Sequence, residues 1–186
     1  MIFVAVIAIA VLIFGIGIYN SLISKKNQVA NAFSAIDVML KKRFDLLPNL
    51  VETVKEYMQY EGDTLTKITE LRGKALEASV SEGDKLAFDS EIGIAVKGLM
   101  VSVENYPDLK ANQNFLNLQS TWTESEEQIA AARRNYNTSV TTYNNAVMMF
   151  PGNMFAGMLG YQTIAVLEAV AAERENVSAK ELFNTK

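Results

Sequence analysis

Apolar side chains between residues 27 and 61 recur three, four or seven positions apart. Val29, Phe33, Ile36, Leu40, Leu47, Leu50, Val54 and Met58 therefore stack along one face of a helix or helix pair. This face requires partner helices. The helix-like pattern runs from about residue 22 to residue 78 and contains a single proline, Pro48. Phe33, Leu40, Leu47 and Val54 fall seven apart on both sides of it. The neighbouring row is Val29, Ile36, Leu50 and Tyr57, with Arg43 standing where an apolar residue is missing. Pro48 has no amide hydrogen for the Phe44 carbonyl and its ring crowds that turn, so the spacing predicts either a kink or a tight reversal there. Further on, Leu65, Ile68, Leu71 and Ala75 continue an apolar stripe.

Gly83, within the polar run SVSEGD, marks a loop. A second helical segment follows, with Leu86, Ile92, Val96, Leu99 and Val103 on its buried side, and Tyr106 and Pro107 end it. The last long element, from about residue 112 to residue 149, carries the most regular pattern. Phe115, Trp122, Ile129, Tyr136, Tyr143 and Phe150 are each seven apart, and Leu118, Ser125, Ala132, Ser139 and Ala146 lie between them. Large rings beside small side chains allow a coiled-coil-like seam to interlock at close helix spacing, so core packing outweighs a binding face here. Pro151 and Gly152 end this helix. Met154, Phe155, Met158, Leu159 and Tyr161 then form an apolar patch suited to covering the bundle end or touching a bilayer.

Ahead of all this stands MIFVAVIAIAVLIFGIGI, without a charged side chain. At 1.5 Å per residue it reaches about 27 Å, the low end of a bilayer span. A cleaved signal peptide has a basic stretch before its apolar core and a small-residue cleavage pattern after it. Here YNSLISKKNQ follows instead, so an uncleaved single-pass anchor is predicted in the cell membrane. Lys25 and Lys26 just beyond it predict an outside N-terminus and a cytoplasmic C-terminal domain. The organisation expected is an anchor at 1–19, a long-helix bundle domain at 20–155 and a partly helical tail at 156–186.

Composition removes several functions. The chain has 186 residues and a formal net charge of −4, without the concentrated basic surface that nucleic acid requires. It contains no cysteine and no histidine, which excludes thiolate chemistry and the usual general base and nitrogen ligand. Acidic clusters at Glu124, Glu126 and Glu127 and at Glu173 and Glu175 lack the opposed Glu and His ligands of a helical dimetal site. No catalytic, cofactor-binding or metal residues are assigned, and no cofactor or small-molecule substrate is expected. Asp37 and Lys41 have the spacing of a surface ion pair. Arg133, Arg134, Asn137 and Asn144 place strong donors beside the aromatic row. Interhelical pairing with carboxylates such as Asp37, Asp45 and Glu52 outweighs a ligand site there.

The blocks NAFSAIDVMLKKRFDLLPNLVETVKEY, ENYPDLKANQNFLNLQ, IAAARRNYNTSVTTYNNAV and MMFPGN, following an N-terminal anchor, closely resemble the LemA family. The resemblance implies an all-α fold, with an N-terminal transmembrane helix followed by a cytoplasmic antiparallel four-helix bundle. Three long helices with the first kinked at Pro48 are the alternative. It implies no substrate, cofactor or catalytic residue. The tail departs from the family pattern, with Gly160 and Tyr161 and a proline-free end in place of a GF motif and a proline-containing end. A membrane-tethered interaction or scaffold protein fits these features first, with the lipid bilayer and a protein as partners. A structural homo-oligomer that organises or senses the membrane is the second reading, and an enzyme the third.

Overall fold

The computed structural model describes residues 1–58 and 61–168. The fold is all-α, with one N-terminal apolar helix and several packed helices. Helix α1, Ile2–Phe44, carries two environments on one backbone. Its residues 2–14 are all exposed, whereas Leu22, Val29, Phe33, Ile36 and Leu40 are buried. The helix is unbroken between these regions because nothing from Tyr19 to Lys26 disturbs helical dihedrals or removes a backbone donor. Among the described residues this is the one helix long and apolar enough to cross a membrane.

Helix α2, Leu47–Tyr57, follows after only two residues. Asp45 (φ −73°, ψ −15°) and Leu46 (φ −78°, ψ −27°) retain right-handed helical dihedrals. The amides of Asp45 and Leu50 still bond helically, to Lys41 and Leu46 at 3.0 and 3.1 Å. The chain therefore bends at Pro48 and continues, because a reversal needs residues outside the helical region. Pro48 sits in the first turn of α2, where its missing donor has no other role. The direction changes beyond α2, where Met58 adopts an extended conformation (φ −113°, ψ 96°).

Helix α3, Gly62–Ala75, runs back along α2 and turns Leu65, Ile68, Leu71 and Ala75 inward. Near its end Arg72 donates through Nε to the Phe44 carbonyl at 2.8 Å, the acceptor that Pro48 leaves without a backbone partner. Helix α4, Glu82–Ser102, starts at Ser81, whose Oγ accepts from the Asp84 amide at 3.1 Å. Lys85 bonds Asp37 at 2.5 Å, which fixes the start of α4 beside α1. Asp37 is thus taken by α4, and Lys41 pairs instead with Asp45 at 2.8 Å. These two pairs stand in place of the expected Asp37–Lys41 surface pair.

A 3₁₀ turn (Val103–Asn105) and the short α5 (Pro107–Lys110) bring the chain to Asn112. Asn112 Oδ1 accepts from the amides of Asn114 and Phe115 at 2.8 and 3.1 Å, which starts helix α6, Gln113–Met148. Its Nδ2 donates to the Tyr57 hydroxyl at 3.0 Å, pinning that start to the end of α2. From there α6 packs along α2 and then α1. Phe115, Trp122, Ile129, Tyr136 and Tyr143 are all buried, and Tyr136 meets Phe33 edge-on with ring centroids 5.7 Å apart. Phe150 does not join this seam. It is 78% exposed, because α6 ends at Met148 and Met149 is already extended (ψ 145°).

Helix α7, Gly152–Leu159, folds over the end of α6 beside α1. A side chain at Gly152 is impossible, since a Cβ there would lie 2.1 Å from the Ala146 carbonyl oxygen. Phe155 and Leu159 pack inward, whereas Met154 and Met158 are exposed. Gly160 closes α7 in the left-handed region (φ 66°), with the Tyr161 amide bonded back to Ala156 at 2.9 Å. Residues 161–168 carry no regular secondary structure, and the rest of the tail expected to be partly helical lies outside the described residues.

The pairing of Pro48 with Arg72 is testable by melting. Arg72→Met keeps the aliphatic stem and leaves the Phe44 carbonyl unpaired, which costs about 1–3 kcal/mol. Pro48→Ala restores an amide donor at that position, so Pro48→Ala/Arg72→Met is expected to recover part of the loss. If the two losses simply add, Arg72 does not act through that carbonyl.

Candidate functional site

Arg43 interrupts the apolar face of α1 and is 5% exposed. Its charge is met from two other helices. Nη1 donates to Asp89 of α4 at 3.1 Å, and Nη2 donates to Glu126 of α6 at 2.9 Å. The guanidinium carbon lies 4.0 Å from the centre of the Trp122 ring, a cation–π contact away from water. Arg133 of α6 adds a second guanidinium, 3.8 Å from the other Asp89 oxygen. Asp89 is 4% exposed, so two cations and one carboxylate share a buried site that the half-exposed Glu126 closes on the solvent side.

Burial pushes the Asp89 carboxyl above its ordinary range, although Arg43 and Arg133 both pull it down. Burial likewise lowers the Arg43 guanidinium, against the opposite pull of Asp89 and Glu126. Desolvation outweighs attraction for both partners, the usual balance for ions taken out of water. The cluster joins α1, α4 and α6 at one level of the fold, and a groove between α4 and α6 opens onto it with a volume of about 780 Å³. Among the described residues, no group of three or more His, Cys, Asp or Glu gathers to hold a metal ion.

Asn137 and Asn144, also on α6, are turned to a different use. Asn144 donates to the Ile164 carbonyl at 2.8 Å and accepts from the Ile164 amide at 2.9 Å. Asn137 does the same with Leu167, at 2.9 and 2.8 Å. Each carboxamide thus holds both main-chain groups of one residue in the segment after α7. Tyr161 starts this segment, stacked at a tilt on Tyr143 with centroids 6.5 Å apart and covered by Lys26 at 4.4 Å. Leu167 and Glu168 reach the mouth of the α4–α6 groove.

Of the donors read beside the aromatic row, Arg133 enters a carboxylate pairing across the bundle, with Asp89. The expected carboxylates are used elsewhere: Asp37 on Lys85, and Asp45 on Lys41 and, at 3.9 Å, on Arg72. Glu52 lines a shallow surface groove with Asn114 and Asn117. Asp89 and Glu126 are the partners that periodicity missed. A signal for Asp89 existed, since it falls three residues after Leu86 and three before Ile92, on the same buried stripe. A carboxylate on one apolar stripe and a guanidinium on another are complementary interruptions.

The LemA family pattern matches residues 32–180. Protein LemA of Metamycoplasma hominis is 31% identical over 169 residues, covering 91% of this chain and 77% of that protein. Magnetosome protein MamQ 2 of Paramagnetospirillum magneticum is 23% identical over 190 residues, covering 89% of this chain and 70% of that protein. Magnetosome protein MamQ of Magnetospirillum gryphiswaldense shows the same identity and coverage.

The buried cluster is tested by a mutant cycle. Arg43→Leu leaves Asp89 facing Arg133 alone, and Asp89→Leu leaves Arg43 facing Glu126 alone. Each single change is expected to cost about 3–5 kcal/mol, and the double Arg43→Leu/Asp89→Leu to cost less than either, because both desolvation penalties disappear together. Thermal melts of the full chain in detergent read the outcome, and strictly additive losses would show that the pair is not coupled.

Proposed function

Because the chain belongs to the LemA family, we propose that this membrane-associated protein works as a tethered interaction or scaffold module at the inner face of the cell membrane. One observation carries the reading. Helix α1 passes without a break from exposed apolar residues into the buried core, so the helical domain is held rigidly against the bilayer. The exposed apolar side chains of Met148, Met149, Phe150, Met154 and Met158 gather near α7, which packs beside Gly15 of the apolar segment. A membrane surface is the environment in which that exposure costs least.

In this reading residues 1–19 anchor, residues 20–155 form the helical domain and residues 156–186 form the tail. Four layers that alternate in direction along the chain are supported by the pairings above: α1 with α2 as one bent rod, α3 returning along α2, α4 running in the direction of the rod, and α6 returning along it. Lys25, Lys26, Lys41, Lys42 and Arg43 follow the apolar run, which favours a cytoplasmic domain and an outside N-terminus. The partner expected is a protein, met by the polar faces of α4 and α6 rather than by a reactive centre.

Two readouts on intact cells test this. A tag after Lys186 is expected to survive added protease until the membrane is permeabilised; cleavage beforehand reverses the orientation. Crosslinking in the membrane, followed by mild solubilisation and mass determination, is expected to give a defined complex with a different protein. A closed ring or a large assembly of this chain alone would favour the structural homo-oligomer instead.

A further inference from the structure

The two asparagines of α6 hold residues 161–168 in a way that differs from ordinary packing. All four hydrogen bonds go to main-chain groups, so the contact reads the backbone and not a particular side chain. The registers match. Asn137 and Asn144 are two helical turns apart, about 10.5 Å at 1.5 Å per residue. Ile164 and Leu167 are three residues apart, about 9–10 Å in extended chain. The segment runs antiparallel to α6, with Asn144 on Ile164 and Asn137 on Leu167.

Side chains add a second, looser selection. Tyr161, Ile164 and Leu167 are partly buried against the core, whereas Gln162, Thr163, Ala165 and Val166 are exposed. Every third residue thus faces the bundle, the repeat of an extended three-residue helix. Gly160, in the left-handed region, separates this segment from α7 and lets it leave the helix in a direction unlike that of α7.

We propose that the Asn137–Asn144 face of α6 is a peptide-binding site for extended segments with apolar residues three apart, occupied here by the chain's own residues 161–168 as a tethered, displaceable ligand. Free peptide of the same chemistry competes for it, against a tether that keeps its own segment at an effective concentration in the millimolar range. The site supplies the kind of partner that the interaction reading requires. It rests on that reading only for its use in the cell, because the binding is measured on the isolated protein.

The test uses the full chain in detergent and a fluorescent peptide, GYQTIAVLE, corresponding to residues 160–168. Ile164→Pro/Leu167→Pro empties the site, since proline tolerates extended backbone but offers neither Asn Oδ1 an amide hydrogen. The peptide is expected to bind this variant about tenfold more tightly than the native chain, in which the tethered segment competes. Adding Asn137→Ala/Asn144→Ala is expected to abolish binding. The near-isosteric Asn137→Asp/Asn144→Asp, which sets a charged carboxylate oxygen against the Leu167 and Ile164 carbonyls in place of each donor, answers the question if the alanine variant loses helical circular dichroism. No binding to the emptied variant overturns the proposal, and so does binding that survives both asparagine replacements. Neither result bears on the crosslinking partner or the orientation, so failure here is distinct from failure of the scaffold reading.

Discussion

The carbonyl of Phe44 decides the shape of this protein. Pro48 cannot bond to it, and Phe44 is 1% exposed, so water is a poor substitute. The Arg72 guanidinium fills the gap from α3 and holds its other end near Asp45, 3.9 Å away. The bend at Pro48 and the return of α3 along α2 are therefore one requirement. Without α3 in place the bend carries an unpaired buried acceptor, and without the bend Arg72 has no acceptor to reach.

One residue before that carbonyl, Arg43 ties the bend to the opposite side of the fold. Its guanidinium meets Asp89, Glu126 and the Trp122 ring, so α1, α4 and α6 converge on it. Two arginines thus bracket the junction, one satisfying a backbone acceptor and one burying a charge among paired carboxylates. Buried ion pairs of this kind are weak sources of net stability, and their attested use is to fix one register among several.

How much of this was legible follows from which interactions are local. The apolar residues of α1, α2 and α3 and the row from Phe115 to Tyr143 were readable because helical periodicity places them before any partner is known. Nearly all of them are buried. Pro48 was readable as an interruption, but bend and reversal differ by where Arg72 arrives, which is a tertiary fact. Phe150 kept the spacing of seven and lost the helix, since the chain turns extended at Met149 ahead of Pro151. Asn137 and Asn144 were readable as strong donors. Their acceptors are backbone groups about twenty and thirty positions away, and no side-chain pattern encodes those. The tail segment they hold is apolar every third residue, a period easily overlooked beside the helical one.

Helices α1 and α2 form one bent rod from the apolar segment to the far end of the fold. Spin labels at the exposed positions Gln28 and Asp63 measure it by pulsed dipolar spectroscopy. About 30 residues of helix separate Gln28 from the end of α2, so at 1.5 Å per residue the labels are expected roughly 40 Å apart. A separation below about 20 Å, as for neighbouring helices of a hairpin closed at Pro48, would contradict the account.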